Sequence, residues 1–226
     1  MYKYLIVFIF IVVFIGSLCL GVWQIKRGYE KKELENTFSD RQSMSVNSEV
    51  QSLSAELFYR NIQISGSFKE DLFYIDNKIF NGDPGLLVIS IFSTLDGSNL
   101  LVSRGWIESL QRNSFPEVST PQGEVTIPGL LRPISKDYVI SSKQFMQEGR
   151  KFLLQGIDLR LMEELSSRKY LPYVFELSGL SKFSFEPIWK PASMKSSMHF
   201  GYAVQWFAIS LVVLFGGFYL YKKRQK

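Results

Sequence analysis

YLIVFIFIVVFIGSLCLGVW, residues 4–23, and FGYAVQWFAISLVVLFGGFYLY, residues 200–221, decide the architecture. Between Tyr4 and Ile25 there is no Asp, Glu, Lys or Arg, and between Ser196 and Tyr221 there is again none. Roughly 20 helical residues cross a hydrocarbon layer about 30 Å thick. Only helices and closed barrels can satisfy their backbone groups inside it. Both stretches are therefore read as transmembrane helices, over 4–25 and 200–221, rather than as the core helices of a soluble protein. The first run is longer than the apolar centre of a secretory signal and no small-residue cleavage pattern follows it, so it is expected to be a retained anchor. No Arg-rich, acid-poor presequence precedes it, which points to a bacterial chain.

The net charge of +5 acquires meaning once it is located. Lys3, Lys222, Lys223, Arg224 and Lys226 lie outside the spans at the two termini, and the basic residues left between the spans equal the 21 acidic ones in number. The central segment is formally neutral, whereas a nucleic-acid binder carries its excess charge on the domain itself. No nucleic-acid partner is expected. Basic residues flanking a span mark the cytoplasmic side. The tail KKRQK at 222–226 is the cleanest such signal. Lys26, Arg27, Lys31 and Lys32 point the other way, but they are interleaved with Glu30, Glu33 and Glu35 and open a long segment that translocates largely regardless of charge. The expected placement is the bacterial inner membrane with both termini cytoplasmic and residues 26–195 periplasmic. The single cysteine, Cys19, lies in a span, so the outer domain is held without an internal disulfide.

Within 26–195 the period of the apolar residues changes. QIKRGYEKKELENTF, from Gln24, is polar and rich in helix formers, with Lys26 and Glu30, and Lys31 and Glu35, spaced i,i+4. It reads as a helical continuation of the first span with Gly28 as a weak point. Residues 39–56 are Ser/Gln-rich and read as linker. From RNIQISGSF onward polar and apolar residues alternate, the period of a strand, and DLFYIDN continues in that style. LLVISIFSTL and NLLVSRGWI flank Asp96-Gly97, a hairpin signal because that pair tolerates the positive φ of a tight turn. EVTIPGLLRP, YVISS, KFLLQGI, YVFELSG and FSFEPIW read as further strands, and Asp158 caps a short helix near 158–166. Seven to nine strands and one helix make the domain mostly β (α+β).

Catalytic parts are scarce. The sequence has no P-loop, G-x-G-x-x-G, C-x-x-C or H-E-x-x-H. One histidine excludes a multi-His metal site. Ser166-x-x-Lys169 matches a Ser/Lys pattern only in isolation, and Glu163-Glu164 reads as a solvated helix face. No enzyme activity is expected.

The unusual segment is MHFGYAVQWF, 198–207. On a helix His199, Tyr202, Ala203 and Trp206 share one face. Counting roughly 20 residues back from Lys222 reaches Tyr202, which leaves His199 in the outer headgroup layer. The same count from Tyr4 brings Trp23 and Gln24 to that level. An interfacial aromatic belt explains such residues. The alternative is a haem site, because a neutral imidazole beside an apolar aromatic wall suits haem iron.

These fragments also carry a resemblance. Gly21-Val22-Trp23-Gln24-Ile25-Lys26-Arg27, Tyr59-Arg60, Gly82-Asp83-Pro84-Gly85, Leu101-Val102-Ser103-Arg104-Gly105-Trp106, Gly129-Leu130-Leu131-Arg132, Pro172-Tyr173 and His199 through Phe207 occur in an order that resembles the Surfeit locus protein 1 family, whose members assist assembly of cytochrome c oxidase. The resemblance implies an assembly factor that binds haem a and aids its insertion into the catalytic subunit of the oxidase, with contact to haem a synthesis enzymes as a further implied partnership. It implies His199 as iron ligand. Around that ligand Tyr202 and Trp206 are expected to line the macrocycle and Trp23 and Gln24 to close the site, while Arg104 reads equally as a partner for a propionate, since its fork pairs with carboxylates, or as a structural salt bridge. Met198 and Ser103 depart from the family's asparagines; the second is expected to alter a turn or a bond to Arg104. The rival expectation is a scaffold that holds the oxidase subunit in the bilayer without touching haem.

Overall fold

The computed structural model describes residues 2–43, 52–109, 115–134, 146–190 and 195–223. The element order is α1 (Tyr2–Ser43), a 3-10 turn (Ala55–Leu57), β1 (Asn61–Phe80), β2 (Asp83–Thr94), β3 (Asn99–Glu108), β4 (Glu124–Pro133), β5 (Met146–Glu148), β6 (Lys151–Leu154), α2 (Leu159–Ser166), β7 (Tyr173–Leu177) and α3 (Ser196–Lys223). Two units form, Met1–Ser39 with Lys190–Lys226, and Asp40–Trp189.

The first unit is the helix pair. The apolar windows of α1 and α3 are long enough to cross a membrane and only 11% buried within the protein, whereas the core helix of a soluble protein is covered on most sides. With the mixed sheet between them, this is a protein of two membrane helices flanking an α+β domain. The helices run antiparallel: along the seam Phe10 lies at Gly217, Gly21 at Phe207 and Gly28 at Phe200. A Cβ on Gly21 or Gly28 would stand 2.7 Å from the facing phenylalanine ring. Gly28 is therefore no weak point. Helix α1 runs through it because the missing side chain seats Phe200. Ser17 and Ser210 are buried in the seam, and their hydroxyls donate back to the carbonyls of Val13, Phe14 and Phe207, which satisfies them without water. The helical continuation of the first span extends to Ser43, so the reading of 39–56 as linker fails at its start, and the sheet unit begins at Asp40 rather than at residue 26.

In the second unit the pairings run β2-β3-β7-β4-β1-β6-β5, and β2 also pairs with β1, closing a ring β1-β2-β3-β7-β4. Strand β1 makes this possible. RNIQISGSF and DLFYIDN, read as separate segments, form one 20-residue strand that pairs with β4 through Asn61–Ser67, then with β2 on to Phe80, bending at irregularities between Phe68 and Leu72 and between Ile75 and Lys78. Bulges are how a sheet curls onto itself. The Asp96-Gly97 hairpin forms as expected: Gly97 has φ +85° and donates to Thr94 O. Leu100, Leu101 and Val102 are all fully buried. Leu100 and Val102 join Phe92 and Phe175 in one core cluster, while Leu101 joins Ile89 and Met162 of α2 in another.

Asp158 caps α2, accepting from the N–H groups of Arg160 and Leu161. The expectation of a strand at FSFEPIW, the last of the nine segments, is corrected. Residues 183–189 make one bridge, Glu186 with Trp106, and form no strand, because Pro187 has no N–H to continue a ladder. YVISS lies outside the described residues.

Candidate functional site

The helix pair gathers polar side chains around His199. His199 is 8% exposed, and its Nδ1 lies 2.8 Å from Oε1 of Gln24 on α1. Its Nε2 is buried and has no hydrogen-bond partner among the described residues. Outward from this contact, Tyr29 meets Phe200 edge-to-face with centroids 5.4 Å apart. Further out, Glu35 caps α3 across the pair. Its Oε1 accepts from the Ser196 N–H at 2.9 Å and its Oε2 from the Ser196 hydroxyl at 2.7 Å. The Ser196 hydroxyl, then its N–H, hold the Glu35 carboxyl below its ordinary value. Helix α3 has no acidic residue in its own first turn, so α1 supplies the charge that an N-terminus favours.

The predicted face is split by the structure. His199 and Ala203 are buried in the seam, Tyr202 is 39% exposed, Trp206 is half-buried and Trp23 is 54% exposed. These three aromatics nevertheless share a flank. Successive residues turn by about 100°, and in an antiparallel pair the residue just before each contact position falls on the same side. Trp23 precedes Gln24, Tyr202 precedes Ala203 and Trp206 precedes Phe207. Arg27 precedes Gly28 and joins that flank about 6 Å outward of Trp23 along the axis. Arg27 is half-exposed and bonds Glu30 Oε2 at 2.8 Å.

Arg104 has another task. It lies in β3, 3% exposed. Its Nε donates to Phe183 O at 2.8 Å and a terminal nitrogen donates to Ser119 O at 2.9 Å. The guanidinium carbon sits 4.9 Å from the Phe185 ring centre and 5.7 Å from that of Phe68. Burial lowers its pKa from the ordinary value. A guanidinium enclosed by its own domain and aimed at its carbonyls does not offer its fork to a propionate, so Arg104 ties residues 115–119 and 183–185 to the sheet. Ser103 stands in β3 rather than at a turn, and its hydroxyl is buried without a partner among the described residues.

The Ser/Lys pattern dissolves in the same way. Ser166 Oγ bonds Met162 O and the Tyr170 hydroxyl, while Lys169 pairs with Glu163 at 2.8 Å. No group of three His, Cys, Asp or Glu side chains suited to a metal ion occurs among the described residues. An apolar groove of the helix pair, about 290 Å³, lies among Phe10, Phe14, Leu214 and Phe218 at the opposite end of the spans from His199, and apart from Tyr221 its lining is aliphatic, phenyl or glycine.

The sequence missed the Glu35–Ser196 clamp, whose partners are 161 residues apart. It also missed the seating of the two phenylalanines, although Gly21 and Gly28, like Phe200 and Phe207, are spaced by one heptad.

The profile of the SURF1 family matches residues 9–211. A SURF1-like protein of Rickettsia conorii is 25% identical over 96% of this chain and 91% of its own length. SURF1-like proteins of Rickettsia felis and Rickettsia bellii are each 26% identical over 91% of this chain, and over 92% and 87% of their own lengths.

Proposed function

Since the chain belongs to the SURF1 family, whose role is in assembling cytochrome c oxidase, we propose that it holds haem a at His199, near the outer face of the bacterial inner membrane, and passes it to the oxidase catalytic subunit. In this reading both termini are cytoplasmic, the sheet domain is periplasmic, and the protein catalyses no reaction of its own.

One observation carries the reading: the only imidazole of the chain is fixed through Nδ1 and keeps Nε2 buried and, among the described residues, unpaired. The residues fit a haem on three counts. Histidine is a common axial ligand, and ligating histidines commonly donate their second N–H to an oxygen. Trp23, Tyr202 and Trp206 share one flank of the seam, as a flat apolar ring system requires. Arg27, outward on that flank, replaces Arg104 as the group to pair with a propionate, since the guanidinium fork suits a carboxylate and Arg27 is half-exposed where Arg104 is enclosed. When bound, haem a would supply the iron centre that the oxidase needs. What this chain's residues do is orient one lone pair, offer an aromatic surface and hold an acid group at the membrane edge. Because Nε2 is covered, loading requires a side-chain movement on that flank.

The test is the haem content of the oxidase. Deleting the gene should lower haem a per catalytic subunit in purified oxidase. The wild-type gene should restore it and His199→Ala should not. Full restoration by His199→Ala would instead favour the haem-independent scaffold, in which the Gln24–His199 bond merely ties the two spans together.

A further inference from the structure

We propose that Gln24 is a positioning residue that keeps the proton of His199 on Nδ1 and thereby reserves Nε2 as the donor atom; its use for iron rests on the haem reading above. A neutral imidazole carries one N–H and one lone pair, and in water the proton of a neutral histidine exchanges between the two nitrogens with Nε2–H the commoner form, so holding it on Nδ1 needs a partner. Here the partner is an amide, which could accept through Oε1 or, turned over, donate through its NH2 group. The two arrangements leave different atoms behind. If Oε1 accepts, Nδ1 bears the proton and the buried atom left unpaired is the Nε2 lone pair. If the amide donates, Nε2 bears the proton and an N–H is orphaned in a site closed to water.

Buried donors without partners are the rarer and costlier outcome. The first arrangement is therefore the stable one. It coincides with the pattern in which a ligating imidazole is oriented by an oxygen at its other nitrogen. The surroundings supply the rigidity that this role needs. Gln24 sits on α1 between Gly21 and Gly28, the two glycines that seat Phe207 and Phe200. His199 precedes Phe200 on α3. Two close helix–helix contacts thus bracket the hydrogen bond and fix the separation of the backbones that carry it. Ser196, one turn before His199, is in turn held by Glu35.

The chain contains a single histidine, so one experiment reads the inference without ambiguity. The full chain is produced with ¹⁵N-histidine, purified haem-free through a tag without histidine, and placed in lipid nanodiscs. The imidazole nitrogen shifts then report which nitrogen carries the proton. The wild type should show a protonated Nδ1 and a bare Nε2. Gln24→Leu, which keeps the volume but removes the acceptor, should lose that preference. Gln24→Glu should restore it, because a carboxylate can only accept. A proton on Nε2 in the wild type, or a Gln24→Leu spectrum identical to it, would overturn the proposal. Should Gln24→Leu fail to fold, the wild-type spectrum alone still decides. A second readout follows loading: haem affinity should fall roughly 10–100-fold in Gln24→Leu, the usual effect of removing such an orienting partner, and recover in Gln24→Glu; no change would count against the proposal. The nitrogen spectrum is taken without haem, so the failure of this inference and the failure of the proposed function can be told apart.

Discussion

Two buried polar residues, Arg104 in the sheet unit and His199 in the helix pair, are treated in opposite ways. Arg104 carries a full charge and is enclosed by carbonyls and aromatic rings of its own domain. His199 makes one hydrogen bond and leaves its other nitrogen unpaired among the described residues. A buried polar group that is fully satisfied stabilises a fold. One left half-satisfied in the seam is what the proposed haem site rests on. The contrast extends to the units that hold them. The sheet is stabilised by side chains buried on both faces, whereas the helix pair, in lipid, relies on close backbone approach at small residues and on a few polar ties.

This contrast predicts different responses to substitution. Phe175 is fully buried in one core of the sheet, and Phe175→Ala should cost about 3–5 kcal/mol in chemical denaturation of the sheet unit. A cost below 1 kcal/mol would mean that the closed ring is not the stable core. Arg104→Leu should cost about 1–3 kcal/mol, since it removes two hydrogen bonds from a charged donor, yet leave haem bound per folded molecule unchanged. Loss of haem with stability intact would return Arg104 to the ligand site. Gly28→Leu should act the other way. It drives a side chain into Phe200 and should lower haem occupancy while the denaturation midpoint of the sheet stays put; equal occupancy would show that the seam tolerates a wider spacing.

The smallest effect concerns Glu35. Its carboxyl titrates below the ordinary 4.5 when folded, so its contribution is fully present above that value and is lost as the pH falls through the lower folded one. The amide signal of Ser196 should titrate with a midpoint under 4.5 in the wild type and stay flat in Glu35→Ala. A wild-type signal that ignores acid would remove the clamp.

The sequence made some of this legible and hid the rest for identifiable reasons. Long uncharged runs announce membrane helices because nothing else needs them, and Asp96-Gly97 and Asp158 act through their immediate neighbours. Those features stand in the structure. The single long β1 was harder to see, because its bend at Asp71 places a charged residue, itself paired with Arg150 at 2.7 Å, in the middle of an apolar pattern. FSFEPIW has the alternation of a strand and the proline that prevents one. Around His199 the spacing located Gln24 at the right depth but could not say that it would bond the imidazole while Trp23 would turn outward. Arg104 misled for the opposite reason: an arginine between apolar strand residues reads equally well as a ligand or as a buried tie, and only its carbonyl partners decide.

The haem reading itself stands or falls on one spectrum. The protein is purified from cells that make haem a, and its visible absorption is recorded beside that of His199→Ala at equal protein concentration. Bound haem in the wild type and little or none in the variant is the predicted result. A wild type without haem, or a variant carrying as much, would contradict it.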